Sequence, residues 1–252
     1  MNFKNNTDTL DQHFLISESV INKFIDSCDL KKSDVCLEIG PGKGVLTKLI
    51  APNVRKLIVI EKDERLEADL KEIPNVNVII GDAIYVSWPK VNKIITSIPY
   101  SIIEPFIKKL TKEDFDELVM MMGKNYCMSV LDKKITYLSL MTNVFFDMEK
   151  IIDVPKEAFK PEPRVMSSLV KLTPKKKLTK IEELFQSIYN LDHKKCKNAI
   201  IESLIIRDNL TQKEAKIILS NMNIDDNILN KPFSLIKNEE LEVLYNKLLQ
   251  NN

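Results

Sequence analysis

Glycine is scarce in this chain, with five residues in 252. It is the residue that lets a backbone turn left-handed or approach a ligand closely, so the position of each one carries information. Cys28, Cys36, Cys127 and Cys196 lie far apart, no C-x-x-C occurs, and His13 and His193 are the only histidines. A zinc site of conventional spacing is therefore excluded, no metal is expected, and the thiols read as buried or free. No apolar run approaches the roughly 18 residues of a membrane span, so no membrane partner is expected. The start of the chain, MNFKNNTDTLDQHFL, has neither the apolar core of a secretory signal nor the Arg-rich character of a transit peptide. A cytoplasmic location follows as the default. A dominant charge sign is also lacking: 37 Lys and Arg face 36 Asp and Glu, so the whole chain is not a polycation.

What is present is an ordinary globular composition, 44% apolar and 29% charged. Residues 17–28 recur at helical spacing through Val20, Ile21, Phe24, Ile25 and Cys28, with Ser17 as N-cap. Beyond it, short apolar runs alternate with helical patterns. Strands are expected at 35–39, 57–60, 76–80, 93–96 and 117–122, and helices near 45–51, 63–71, 102–110 and 136–147. Two further strand-like runs lie at 150–154 and 168–172. Strands alternating with helices imply parallel pairing and a doubly wound α/β sheet. The pattern changes at Pro174-Lys175-Lys176-Lys177, after which 180–190, 194–206, 211–221 and 239–249 all read as helices. The expectation is an α/β domain over 1–174 and a small all-helical domain over 175–252.

Four of the five glycines fall where strands end. Three lie in Glu38-Ile39-Gly40-Pro41-Gly42-Lys43-Gly44 after the first strand, and Gly81 opens Gly81-Asp82-Ala83 after the third. The carboxyl ends of parallel strands are where open α/β sheets bind ligands. The spacing is G-x-G-x-G, not the G-x-G-x-x-G of dinucleotide binders. Glu61 ends the second strand, where a carboxylate can accept both hydroxyls of a ribose. Asp82 ends the third, close to the place of an adenine amino group. Glycine loop, ribose carboxylate and acidic third strand end together describe an S-adenosylmethionine site.

The fourth strand ends in Ser97-Ile98-Pro99-Tyr100. This fits the Asp/Asn/Ser-x-Pro-Tyr/Phe pattern of enzymes that methylate exocyclic amino groups. Adenine N6 is a poor nucleophile because its lone pair is delocalised into the ring. Acceptors aimed at its two N–H groups favour the pyramidal form and stabilise the charge that grows as the methyl arrives. The Ser97 hydroxyl and a backbone carbonyl at Ser97 or Ile98 can be those acceptors. Pro99 stiffens the turn, and Tyr100 offers a ring on which a flipped base can stack.

At these residues the chain resembles the rRNA adenine N6-dimethyltransferases that act on the small ribosomal subunit. The resemblance covers about residues 10 to 205. Asp11-Gln12-His13-Phe14-Leu15 is similar to the family's Gly-Gln-Asn/His-Phe-Leu, and Phe159-Lys160-Pro161-Glu162-Pro163-Arg164-Val165 with Ser167 or Ser168 to its Phe-x-Pro-x-Pro-x-Val-x-Ser. His193-Lys194-Lys195-Cys196-Lys197-Asn198-Ala199 matches its basic helix. The resemblance implies a Rossmann-like methyltransferase sheet, S-adenosylmethionine as cofactor, and methylation of N6 on two adjacent adenines of small-subunit rRNA during ribosome assembly, by a monomer. It makes Phe159 the second aromatic wall of the base pocket. It assigns Gln12, His13, Leu15, Gly40, Gly42, Glu61, Asp82, Ala83 and Ser97 to the cofactor. Asp11 replaces the family's glycine, Ser97 its usual Asn, and Gly123-Lys124-Asn125 its Gln-Lys-Glu after the fifth strand.

The partner expected is small-subunit rRNA within a pre-ribosomal particle. Residues 151–200 hold eleven Lys and Arg against six Asp and Glu, and Lys175, Lys176, Lys177, His193, Lys194, Lys195 and Lys197 are the expected phosphate contacts. A helix from 194 would put Lys194 and Lys197 on one face. Two other readings stay open. One is a large-subunit rRNA methyltransferase of the erythromycin-resistance type. The other is a ribosome-assembly or transcription factor that kept the fold and lost the activity.

Overall fold

A computed structural model describes residues 13–251. The chain forms two compact units. One runs to Cys127 and resumes over Glu149–Leu172; the other comprises Met128–Met148 and the chain from Thr173 onward.

The first unit is built on a seven-stranded sheet. Its strands are β2 (Val35–Ile39), β3 (Lys56–Glu61), β4 (Val76–Ile80), β5 (Lys93–Thr96), β6 (Glu117–Gly123), β7 (Phe146–Val154) and β9 (Ser167–Pro174). The order across the sheet is β4-β3-β2-β5-β6-β9-β7. A separate two-stranded ribbon pairs β1 (Phe14–Leu15) with β8 (Phe159–Lys160), antiparallel. Strands β2, β3 and β6 are almost wholly apolar because both their faces are covered. The edge strand β4 is only half-buried and carries the polar Asn77. Helix α1 (Glu18–Ser27) adds Val20, Ile21 and Phe24 to the core beneath.

The five strands β2 to β6 are parallel, as their alternation with helices implies. Strand β9 is antiparallel to β6. No helical crossover separates β7 from β9, only a 3₁₀ turn and β8, and a parallel return needs a crossover. The sheet is therefore mixed. Its registers set the level of the site. Ile39 lies opposite Ile60 on one side and Thr96 on the other, and Glu61 lies opposite Ile80. Gly40, Glu61, Gly81 and Ser97 thus leave the sheet side by side.

The second unit contains the helices Tyr137–Phe145, Lys180–Asn190, Cys196–Asp208, Gln212–Asn221, Asp226–Leu229 and Asn238–Gln250. The helix over 137–145, expected from its place in the sequence to belong to the α/β part, sits with the C-terminal helices. The reason is aromatic: Tyr137 meets Tyr189 edge-on at 5.2 Å, and Tyr189 meets Phe233 at 5.0 Å. Thr179 with Glu182 and Thr211 with Glu214 form capping boxes that fix two helix starts. No helix among the described residues is long and apolar enough to cross a membrane.

Candidate active site at the carboxyl edge of the sheet

β2 has β3 on one side and β5 on the other, so the chain turns in opposite directions from it. This is the switch point at which α/β sheets open a crevice. A cavity of about 320 Å³ lies there. Its wall includes His13, Leu15, Gly40, Gly42, Glu61, Asp82, Ala83, Ser97, Ile98, Pro99, Tyr100 and Phe159. The structure thus brings together every expected catalytic and cofactor residue that it describes; Gln12 lies outside the described residues.

The glycine loop is held open by its own geometry. Gly40, Gly42 and Gly44 have φ of +68°, +55° and +73°, a region costly for residues with a Cβ. A Cβ on Gly42 would stand 3.1 Å from the Phe14 ring. Phe14 is a wall residue to which its motif alone assigns no role. Its ring also lies under the Lys43 ammonium, 5.0 Å from the centroid. His13 Nδ1 is 2.8 Å from the Pro161 carbonyl oxygen, and Leu15 pairs with Phe159 in the ribbon.

Glu61 is buried, yet well supplied with donors. Its Oε2 accepts from the Gly42 N–H at 3.0 Å, and its Oε1 from the Lys62 and Asp63 N–H groups at 2.9 Å each. A carboxylate offers about four acceptor positions, so one is committed to the glycine loop, two to the turn after β3, and one remains open. Loss of Glu61 would harm the loop as well as the site, a coupling that sequence alone does not reveal.

Asp82 is set by two donors. Ile84 N–H reaches its Oδ1 at 2.9 Å, and Lys62 Nζ its Oδ2 at 3.0 Å. Burial raises the Asp82 carboxyl, but these bonds outweigh it and leave the group below its ordinary range. Glu38 is the opposite case. It is 2% exposed, and its Oε2 has no hydrogen-bond partner. Burial pushes its pKa up to about 8, with the Thr47 hydroxyl opposing and the Glu61 carboxylate adding to the rise. At this cavity wall burial thus favours the neutral form of the carboxyl. Glu38 opens the glycine motif, but nothing in the motif signals an orphaned oxygen.

The expected RNA contacts lie in the second unit. Lys176, Lys177, His193 and Lys195 are exposed. Lys175 is ion-paired with Glu182, Lys194 with Glu202 at 2.6 Å, and Lys197 donates to Asn230 Oδ1 at 2.9 Å. The helix starts at Cys196, not at 194. Lys195 is the N-cap and bridges to Pro232, and the Cys196 N–H donates to the Lys231 carbonyl at 2.8 Å. Lys194 is thus in the preceding turn and shares no helix face with Lys197.

The ribosomal RNA adenine dimethylase family matches residues 2–239. The chain belongs to that family. It is 37% identical to a "Probable ribosomal RNA small subunit methyltransferase A" of Pyrococcus abyssi, over 85% of this chain and 83% of the relative. To the protein of the same description from Pyrococcus furiosus it is 33% identical, over 94% and 90%. Among solved structures it is similar to a dimethyladenosine transferase from Plasmodium falciparum, with a TM-score of 0.65 and 25% identity over 95% of this chain and 98% of that one. The 23S rRNA methyltransferase ErmE superposes with a TM-score of 0.61 over 94% of this chain and all of its own, at 22% identity. That last likeness bears on the fold alone.

Proposed function

We propose that this family member transfers methyl groups from S-adenosylmethionine to N6 of two adjacent adenines in small-subunit rRNA, within a pre-ribosomal particle in the cytoplasm. One observation carries the reading. The glycine loop, Glu61, Asp82 and the Ser97–Tyr100 turn converge on a single cavity at the sheet's switch point. The relatives described as small-subunit enzymes, at 37% and 33% identity over most of both chains, favour this reading over the large-subunit one.

The residues present fit the cofactor. Glu61 keeps one acceptor position for the ribose, and Asp82 is held ionised to accept from the adenine amino group. Glu38 supplies a buried carboxyl whose unpartnered oxygen suits a cationic ligand. When bound, the cofactor would supply an electrophilic methyl on a sulfonium, with sulfur as the leaving group. The chain's part is placement. The Ser97 hydroxyl and a carbonyl of the same turn accept from the N6 hydrogens, and Tyr100 and Phe159 flank the flipped base. No strong base is required, because the methylated ammonium is acidic and releases its proton to water. Positioning of this kind can supply roughly 7–11 kcal/mol of the barrier.

The test is methyl transfer from labelled cofactor to undermethylated small subunits and to naked rRNA, with the modified nucleotides mapped. Label on N6 of adjacent small-subunit adenines is expected. Label on large-subunit rRNA alone would point to the erythromycin-resistance type. Cofactor binding with no transfer to either would make the chain an assembly factor.

A further inference from the structure

Tyr100 does not hang free from its turn. Its hydroxyl shares a hydrogen bond with Oγ of Ser167, at the start of β9. Ser167 is 0% exposed, whereas the Tyr100 ring stays part-exposed at the cavity wall. In the antiparallel pairing of β6 with β9, Ser167 lies directly opposite Gly123. A Cβ on Gly123 would stand 3.6 Å from Tyr100 Cδ2 and 3.9 Å from Val165 Cγ2. A methyl there would meet the ring only at ordinary contact distance, so the constraint on the ring lies at its far end, tied to a side chain that cannot move into solvent. Burial raises the Tyr100 hydroxyl above its ordinary range, and the Ser167 hydrogen bond offsets part of that rise; the phenol is a neutral tether.

We infer that Ser167 is a positioning residue that sets the plane of the Tyr100 ring. This rests on the proposed function, in which the ring receives the flipped adenine. A tyrosine has two main side-chain torsions, and a base stacks well only when the ring plane is fixed beforehand. Ser167 would thus act on the orientation of N6 toward the methyl without touching either. It sits at the end of the Phe-x-Pro-x-Pro-x-Val-x-Ser block, whose first residue, Phe159, lines the same cavity. The block then serves as one clamp: Phe159 is one wall, and Ser167 fixes the other.

The experiment joins a double-mutant cycle to a direct view of the ring. Single-turnover transfer on undermethylated small subunits would be compared for the parent, S167A, Y100F and the double variant. Losing one neutral hydrogen bond should slow transfer about two- to twelve-fold, with cofactor Kd and rRNA KM unmoved. The double variant should be no slower than either single one, because both delete the same bond. In parallel, NMR of ring-labelled tyrosine should show faster Tyr100 ring motion in S167A. Additive losses in the cycle, an S167A rate equal to the parent's, or ring motion unchanged in S167A would each overturn the positioning role and leave the proposed function standing. A parent chain that transfers no methyl at all would overturn the proposed function, and this role with it.

Discussion

In the proposed function, an adenine at the end of β5 meets two kinds of group, and they should respond differently to mutation. Ser97 offers a hydroxyl beside backbone carbonyls, so Ser97→Ala should slow transfer by only about two- to twelve-fold, the worth of one neutral hydrogen bond at about 0.5–1.5 kcal/mol. Ser97→Asn should restore or exceed the parent rate, since an amide carbonyl is the stronger acceptor. Tyr100→Ala removes a stacking surface worth about 1–3 kcal/mol per base and should do more harm. Single-turnover rates on one rRNA substrate would rank the three; a dead Ser97→Asn beside an unaffected Ser97→Ala would reduce Ser97 to a turn residue. Glu38 gives a prediction in pH. Its folded pKa, about 8, lies above the ordinary value of 4.5. Between these values the native chain holds a proton that the unfolded chain has lost, so stability falls as pH rises through that window, by at most about 1.4 kcal/mol per pH unit. Glu38→Gln should flatten this slope in denaturant titrations from about pH 5 to 8. The same carboxyl should make cofactor binding tighten as pH rises, because a cation favours its ionised form. A pH-independent Kd in the parent would remove Glu38 from the cofactor's surroundings.

At the scale of elements, legibility depends on what each element is made of. Strands 35–39, 76–80 and 93–96 can be read to the residue because apolar runs end abruptly at Gly40, Gly81 and the Ser97–Pro99 turn. Helix 180–190 is equally plain, with a capping box at its start. Strands β1 and β8 are illegible, since two residues show no period. Helix Lys124–Leu131 escapes the sequence because KNYCMSVL has no clear apolar stripe. The site follows the same rule. Motif residues at strand ends are legible, because the sheet delivers them to one edge whatever the rest of the chain does. The Gly42–Glu61 bond, the orphaned oxygen of Glu38 and the Ser167 tether are not, because each joins residues brought together only by the fold. The basic elements remain a test case. Charge reversal at Lys176, Lys177 and Lys195, all exposed, should weaken rRNA binding. It should also lower the slope of log affinity against log salt by about 0.7–0.9 for each phosphate no longer neutralised. Cofactor affinity should not change. A salt slope identical to the parent's would mark these lysines as solvated surface.

For the whole molecule, the two edges of the sheet divide chemistry from stability. The candidate site residues gather at the carboxyl ends of the strands; at the opposite end lies Lys93, the first residue of β5. It is buried and donates to the carbonyls of Cys28 and Asp29 at 2.6 Å each, with Asp34 at 3.7 Å and Glu117 at 3.6 Å. Removing one member of a buried charged cluster typically costs about 3–5 kcal/mol. Lys93→Met should therefore lower the unfolding midpoint sharply, while the folded fraction keeps its cofactor affinity and rate. A catalytic defect at full stability would contradict this division.

All four cysteines are buried and unpaired. Burial pushes Cys28 far above the ordinary thiol range, and Cys36 and Cys196 up to about 12. A thiolate is what attacks a disulfide reagent, so burial should slow modification of the native chain and make each thiol a clock for local opening. Cys28, Cys36 and Cys127 belong to the first unit and Cys196 to the second. The order in which they are modified would time the separate openings of the two units without any engineered probe.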